Sequence, residues 1–292
     1  MRQELLDWKS KGQFFKYKNY DIFYRKEGTG PVLLIVHGYP FNTFDWRDVW
    51  ADLAAKYTVV APDMLGMGFS EKPKDYEYGF EDMADLYSEL LRRLRIEKCH
   101  IISHDLGNSV VQELLARDLE RKNPFLIESI AFLNGGLFAD AYEPRLIQIL
   151  LSKSPKPLGK LLSRLMSKSA VEKATSEVFG QFTKPDKELL QNFWDILNYN
   201  DGKSIAYLLG RLVFDKERYQ QRWINAMQST SVPMCFINGP ADPNSGLRMV
   251  ERYRELIPHP KVILLDENIG HWLQIEDPRG VLAAYSNFRQ KP

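Results

Sequence analysis

The sequence predicts an α/β protein: a mostly parallel sheet with helices on both faces and a helical block inserted between two of its strands. Three observations carry that prediction. Apolar runs such as "PVLLIVHG", "TVVAPD" and "PMCFIN" are continuous rather than alternating, as in strands covered on both faces. These runs alternate with stretches whose apolar residues recur at helical spacing, and β-α-β alternation makes neighbouring strands parallel. The alternation stops between about residues 137 and 228, where helical stretches separated by Pro and Gly take over.

The elements follow in order. "FFKYKNYDIFYRKEG" alternates and turns at Lys18-Asn19, so it reads as a β-hairpin. Residues 31–38 form the first buried strand, "WRDVWADLAAKY" a helix, and residues 58–63 the next strand. "FEDMADLYSELLRRLRI" is helical, "CHIIS" a strand, "SVVQELLARDLE" a helix, and residues 127–136 ("IESIAFLNGG") a strand. Inside the interruption, "PRLIQILL", "LGKLLSRLM" and "KELLQNFWDIL" are helical. "VPMCFINGPAD" and "KVILLDE" then resume the strand rhythm, with "RMVERYRELI" and "RGVLAAYSNFRQ" as helices. The expected organisation is a core over residues 1–136, a helical cap over 137–228, and the rest of the core over 229–292. The cap would sit at the C-terminal edge of the sheet, where open α/β sheets bind ligands.

Composition limits the function classes. The chain has 292 residues, 44% hydrophobic and 26% charged, with a formal net charge of +1. That suits a soluble globular protein and favours no nucleic-acid partner. Cys99 and Cys235 lie in apolar runs and read as buried reduced thiols, which suits a reducing compartment. No integral membrane segment is expected, because no apolar run reaches the ~18 residues of a span. The opening "MRQELLDWKSKGQ" lacks the apolar core of a signal peptide, so a cytoplasmic location is expected. No cluster has metal-ligand spacing, and no cofactor is called for. The oligomeric state is left open.

The informative stretch is "IISHDLGNSV", residues 101–110, a strand that turns into a helix. Such a turn carries a nucleophile when small residues stand two positions to either side. Centred on Asp105, the flanks are Ser103 and Gly107; centred on Ser103, they are Ile101 and Asp105. The frame therefore selects Asp105. An Asp that merely N-caps the following helix is the plain alternative. Chain order weighs against it, since an acid and then a histidine follow the nucleophile in this kind of site. Asp242 in "INGPADP" and His271 in "NIGHWLQ" each come just past a strand. In "HGYP" the backbone N–H of Tyr39, together with that of Leu106, would form an oxyanion hole. "DMLGMGFSEKP" is Gly-rich but lacks a phosphate-binding lysine, and reads as structural.

With "HGYP", "DMLGMGFS", "SHDLGNS", "NGPADP" and "GHW" in place, the chain resembles an α/β-hydrolase of the epoxide hydrolase and haloalkane dehalogenase branch. The motifs span nearly the whole chain. An ionised Asp105 would attack a saturated carbon and form an alkyl-enzyme ester. Asp242 would orient His271, the base that activates water against that ester. The expected partners are a small apolar organic substrate and water. The resemblance implies an epoxide or a halide-bearing carbon as electrophile. Dehalogenases of this branch usually hold halide with an Asn after "HG" and a Trp after the nucleophile; Tyr39 and Leu106 stand there instead. An aromatic after "HG" is the epoxide hydrolase habit, so that reading comes first and a dehalogenase with an atypical halide site second. A fluoroacetate-type enzyme is disfavoured, because "DLGNSV" lacks arginine. A non-catalytic ligand- or partner-binding protein of the same fold is the third reading.

Epoxide hydrolases protonate the ring oxygen with two lid tyrosines, one often in a Trp-Tyr pair; here Ile224 follows Trp223. Tyr142 and Tyr207 are the nearest candidates, ahead of Tyr199 and Tyr219. His104, Trp194 and Trp272 complete the expected pocket. Finally, residues 145–173 are basic, and Leu161, Leu162, Leu165 and Met166 add an apolar face. The first reading is a lid helix with a solvated side; contact with a membrane surface or with apolar substrates is the second.

Overall fold

The computed structural model describes residues 1–290, apart from the side chains of Ile147, Leu151 and Ser152. Eight strands form one sheet: β1 (Gln13–Tyr17), β2 (Tyr20–Glu27), β3 (Val32–Val36), β4 (Thr58–Pro62), β5 (Lys98–Ser103), β6 (Leu126–Phe132), β7 (Met234–Asn238) and β8 (Val262–Leu264). Their order is β1-β2-β4-β3-β5-β6-β7-β8. β2 pairs antiparallel with β1 and β4, and every other pairing is parallel. The hairpin turns where the sequence placed it. Lys18 and Asn19 both have positive φ (46° and 72°), the backbone a two-residue turn between twisted strands requires.

The continuous apolar runs are explained by the two faces of the sheet. Leu34 and Val36 of β3 point into one core cluster with Ile101, Ile130 and Phe236. Leu33 and Ile35 point into the other with Ile102, Ala131 and Ile237. The helices Phe80–Arg93 and Leu106–Leu119 cover the first face; Arg47–Ala54 and Pro278–Gln290 cover the second. Each such side chain, fully buried, contributes roughly 1.5–3 kcal/mol.

Several strands end earlier than the apolar runs predict. β3 stops before His37, β4 before Asp63 and β6 before Asn134. Each of these residues leaves the ladder to bond with loops beyond the sheet edge. Met64 N–H donates to His37 Nε2 (2.8 Å), and Thr43 N–H to Asp63 Oδ1 (2.9 Å). The helix Gln3–Ser10, which the sequence reading passed over, buries Leu5 and Trp8. Its three apolar residues, of which Leu6 is exposed, are too few for a periodic signal.

Between β6 and β7 the chain is helical, and no strand interrupts it among the described residues. The insertion includes Leu146–Lys153, Lys156–Leu165, Lys168–Val178 and Lys187–Asn198. Its last helix, Gln220–Ser229, packs along Leu106–Leu119, where Trp223 Nε1 donates to Glu113 Oε2 (2.9 Å). The insertion thus ends against the sheet's own helix layer.

Candidate active site

Asp105 sits between β5 and the helix Leu106–Leu119 with φ 53° and ψ −118°. A β-carbon rarely occupies that half of the map, and strain of this kind clusters at functional sites. The surroundings are fitted to the turn. A Cβ on Gly107 would come within 2.4 Å of the Val36 carbonyl, and one on Gly38 within 2.6 Å of Asp105 Cβ. Asp105 N–H donates to the Asn134 carbonyl (2.8 Å). Its side chain makes no capping bond to the helix, so the plain alternative of an N-cap is absent.

The two oxygens of the Asp105 carboxylate have different partners. Oδ1 accepts from the Tyr39 backbone N–H (2.9 Å), while Oδ2 faces His271 Nε2 at 3.5 Å. His271 Nδ1 lies 2.8 Å from Asp242 Oδ2. Asp242 also accepts from Ser245 Oγ (2.5 Å), Asn134 Nδ2 (3.0 Å) and the Asn244 backbone N–H (2.8 Å). The Ser103 hydroxyl donates to Asn108 Oδ1 (2.7 Å), below the turn. Leu106 is the first residue of its helix, and the first amides of a helix have no partner within it.

The charges are mutually dependent. Burial opposes the Asp105 carboxylate, but His271, His104 and the Tyr39 amide outweigh it and hold its pKa at about 2. Burial likewise opposes a charged His271, yet the two flanking carboxylates raise its pKa to about 10. At neutral pH the three therefore form an anion–cation–anion row. Burial, reinforced by the His271 charge, depresses His104 to about 4. A carboxylate already ionised, beside an imidazole held by a second carboxylate, can attack carbon without a prior proton transfer.

A cavity of about 160 Å³ opens over Asp105 and His271. Its walls are mostly apolar and include Met166, Val171, Ala174, Val178, Val213 and Trp272. Tyr39 and Tyr142 also line it, but the Tyr39 hydroxyl is tied to the Ala206 carbonyl (3.0 Å). The Tyr142 oxygen accepts from Asn244 Nδ2 and Gln148 Nε2, both at 3.1 Å. With two donors aimed at the oxygen, its own proton is left to point elsewhere. The Lys216 ammonium lies 4.0 Å from the Tyr142 ring centre and donates to the Gly136 carbonyl (3.2 Å). Burial lowers the Lys216 pKa to about 8 against the pull of Asp105.

Of the pocket residues expected from the sequence, Tyr142 and Trp272 line the cavity and three do not. His104 sits behind His271, its Nε2 donating to the His271 carbonyl (2.9 Å). Tyr207 is packed inside the insertion. Trp194 is turned away beneath Lys203, whose ammonium is 5.3 Å from its ring. For Tyr207 and Trp194, helical phase on the insertion decides the position; His104 belongs to the turn after β5.

The sequence reading missed Asn134. Its Nδ2 donates to the Gly239 and Gly270 carbonyls and to Asp242, and its Oδ1 accepts from Gly239 N–H. With its backbone carbonyl accepting from Asp105 N–H, this one residue ties the loops of Asp105, Asp242 and His271 together. An Asn just past a buried strand in "FLNGG" was the available signal. Asn244 and Lys216 carried none, because the Tyr142 they meet is distant in sequence, and Gln148 carried none although Tyr142 is only six positions away. Among the described residues, no cluster of three or more His, Cys, Asp or Glu could hold a metal ion.

Comparison with known proteins agrees with this architecture. The sequence model of the alpha/beta hydrolase fold matches residues 31–278. The mesoderm-specific transcript protein of Mus musculus is 36% identical over 293 residues, covering 97% of this chain and 87% of that protein. Among solved structures, the epoxide hydrolase CorEH superposes with a TM-score of 0.78 at 21% identity, covering 95% of this chain and 97% of the other. A loop variant of a haloalkane dehalogenase from Bradyrhizobium elkanii gives 0.77 at 20% identity, with the same coverage.

Proposed function

The chain belongs to the alpha/beta hydrolase fold family, and on that premise we propose that it is an epoxide hydrolase-like enzyme with Asp105 as nucleophile. The observation that carries the reading is the division of labour within the Asp105 carboxylate, in a residue that lines the cavity: Oδ1 on the Tyr39 amide, Oδ2 facing His271. Oδ2 attacks a ring carbon, the carbon–oxygen bond of the epoxide opens, and the ring oxygen takes the Tyr142 proton. The product is a hydroxyalkyl ester of Asp105 and a Tyr142 phenolate. Two amide donors face that phenolate oxygen, and the Lys216 ammonium lies over its ring.

Esterification removes the Asp105 charge. His271 then keeps only Asp242 as a counter-ion and passes its proton through solvent to Tyr142. Neutral His271 takes a proton from water, and the resulting hydroxide adds to the Asp105 ester carbonyl. The oxyanion forms at Oδ1, where the Tyr39 amide already donates and the Leu106 amide is the second donor. Each such donor is worth on the order of 3 kcal/mol in the transition state. Collapse expels the diol, whose oxygen takes the proton left on the added hydroxide, and the ionised row is restored. The sum is one epoxide and one water giving one diol.

The cavity supports a small apolar substrate. It is smaller than the roughly 300 Å³ at which drug-sized pockets begin. The dehalogenase reading loses support from the indoles. Trp272 Nε1 points to Asp45 (3.5 Å) and Trp223 Nε1 to Glu113, so neither is directed at a halide. The helical insertion acts as a cap over the site.

A His271→Gln variant incubated with styrene oxide tests the mechanism. Intact-protein mass spectrometry should find one epoxide added to Asp105, while the unaltered protein releases diol. Bromide release from bromoalkanes, without diol from epoxides, would reassign the activity to dehalogenation. Absence of an adduct with either class would leave a non-catalytic binding protein.

A further inference from the structure

The helix Lys156–Leu165 is turned the opposite way from an ordinary amphipathic helix. Its small residues face inward. Gly159 and Ser163 are buried, and the Ser163 hydroxyl donates to the Lys203 carbonyl (2.5 Å). Three of its four leucines face outward, Leu158, Leu161 and Leu165, at 44%, 53% and 68% exposure, while Leu162 is half-buried. At about 100° per residue, the three leucines fall within about 60° of one another and across the helix from Gly159 and Ser163. The adjoining helix Leu146–Lys153 packs on this one and adds Leu146 and Leu150, at 85% and 50% exposure. Five leucines on two adjacent helices make an apolar patch of the kind that marks an interaction surface.

The charge around the patch identifies its partner. Residues 145–173 hold seven Lys and Arg against one acid, Glu172, a local charge of +6 in a chain whose net charge is +1. Ion pairs here use Arg145 with Glu177 and Lys168 with Glu172. Arg164 and Lys160, about 60° and 100° round the helix from Leu161, are exposed and form no ion pair among the described residues. Leucines bordered on one side by unpaired basic side chains match an anionic bilayer surface, where the basic groups meet headgroups and the apolar stripe enters the boundary below.

We propose that this face docks on a membrane surface that contains anionic lipid. No helix among the described residues is long and apolar enough to cross a membrane, so the contact is peripheral. The face adjoins the cavity. Met166, next to Leu165, lines it together with Ala170 and Ala174 of the following helix. Docking would hold the cavity wall against the phase in which apolar substrates concentrate. The inference does not depend on which bond the site cleaves.

Co-sedimentation with phosphatidylcholine vesicles, plain or containing about 30% phosphatidylserine, tests it. The protein should pellet with the phosphatidylserine vesicles and be released by high salt. Two double variants, Leu161→Ser with Leu165→Ser and Lys160→Glu with Arg164→Glu, should each lower partitioning about tenfold. Their unfolding temperatures should stay unchanged, since every altered side chain is exposed. Protein that remains in the supernatant with both vesicles would overturn the proposal, as would variants that partition like the unaltered chain. A dimer in solution that the leucine substitutions split would assign the face to a second copy instead. The assay reads binding and not turnover, so its failure and that of the hydrolase reading are separate results.

Discussion

Asp45 illustrates how much a single buried group can be set by its surroundings. It lies in the short turn Thr43–Trp46, is almost fully buried, and accepts from Trp272 Nε1. Burial, only partly offset by Arg47 and Trp272, raises its pKa from 3.8 to about 8. The neutral carboxyl therefore stabilises the fold fully below about pH 3.8, and that contribution is lost as pH rises through about 8. An Asp45→Asn variant keeps an acceptor for the indole but has no proton to lose. Its stability relative to the unaltered protein should grow between pH 4 and pH 8 and then level off, by an amount of the order of a few kcal/mol. Denaturant unfolding at pH 5, 7 and 9 measures this. A pH-independent difference would show that Asp45 titrates normally. At the same scale, Ser103 and Asp105 differ by geometry and not by reactivity alone. The serine hydroxyl is spent on Asn108, and the aspartate faces His271.

At the scale of elements, the turn from β5 into Leu106–Leu119 depends on close approach. Gly107 stands where a side chain would meet the Val36 and His37 carbonyls at 2.4 and 2.6 Å. Backbone atoms cannot rotate out of the way, so Gly107→Ala must push the helix off the sheet. We expect a loss of about 1–3 kcal/mol or more, read as a lower unfolding temperature by calorimetry. A variant as stable as the parent would mean that the helix start relaxes freely. The sequence reading used the same glycine as half of the small-residue frame, and the distances supply the physical reason for that frame. By contrast, the helix Lys156–Leu165 defied its own pattern. It reads as a lid helix with a solvated side, yet Leu158, Leu161 and Leu165 are the exposed ones, while Gly159 and Ser163 are buried and Ser163 bonds the 3-10 segment Tyr199–Ile205.

At the scale of the whole molecule, the helix Gln3–Ser10 joins the sheet to the insertion. Trp8 packs on the Arg25 guanidinium at 3.9 Å and on Trp50 at 5.0 Å, and its Nε1 donates to Thr43 Oγ1. The same helix reaches the insertion. Asn192 Nδ2 donates to Glu4 (3.3 Å) and Lys9 to the Tyr199 hydroxyl (2.9 Å). Trp8→Ala should cost about 3–5 kcal/mol, and the parent should unfold in one step because this helix couples both parts. Fluorescence and far-ultraviolet circular dichroism should report the same denaturant midpoint. Two separated transitions would make the insertion an independent unit.

The order of the strands' apolar runs, the hairpin turn, the helical interruption and the order of Asp105, Asp242 and His271 were all legible in one dimension. Each is a local pattern: a run, a turn pair, a spacing or a succession. What surrounds those three residues was not legible. Asn134 binds groups more than a hundred positions away, and Tyr142 meets Asn244 and Lys216 only because the insertion folds back over the sheet edge. The outward turn of the leucines and the exclusion of Tyr207 and Trp194 from the cavity were likewise decided by packing. Periodicity states that a helix has two faces, but which face is buried depends on the room its neighbours leave, and that room exists only once the chain has closed on itself.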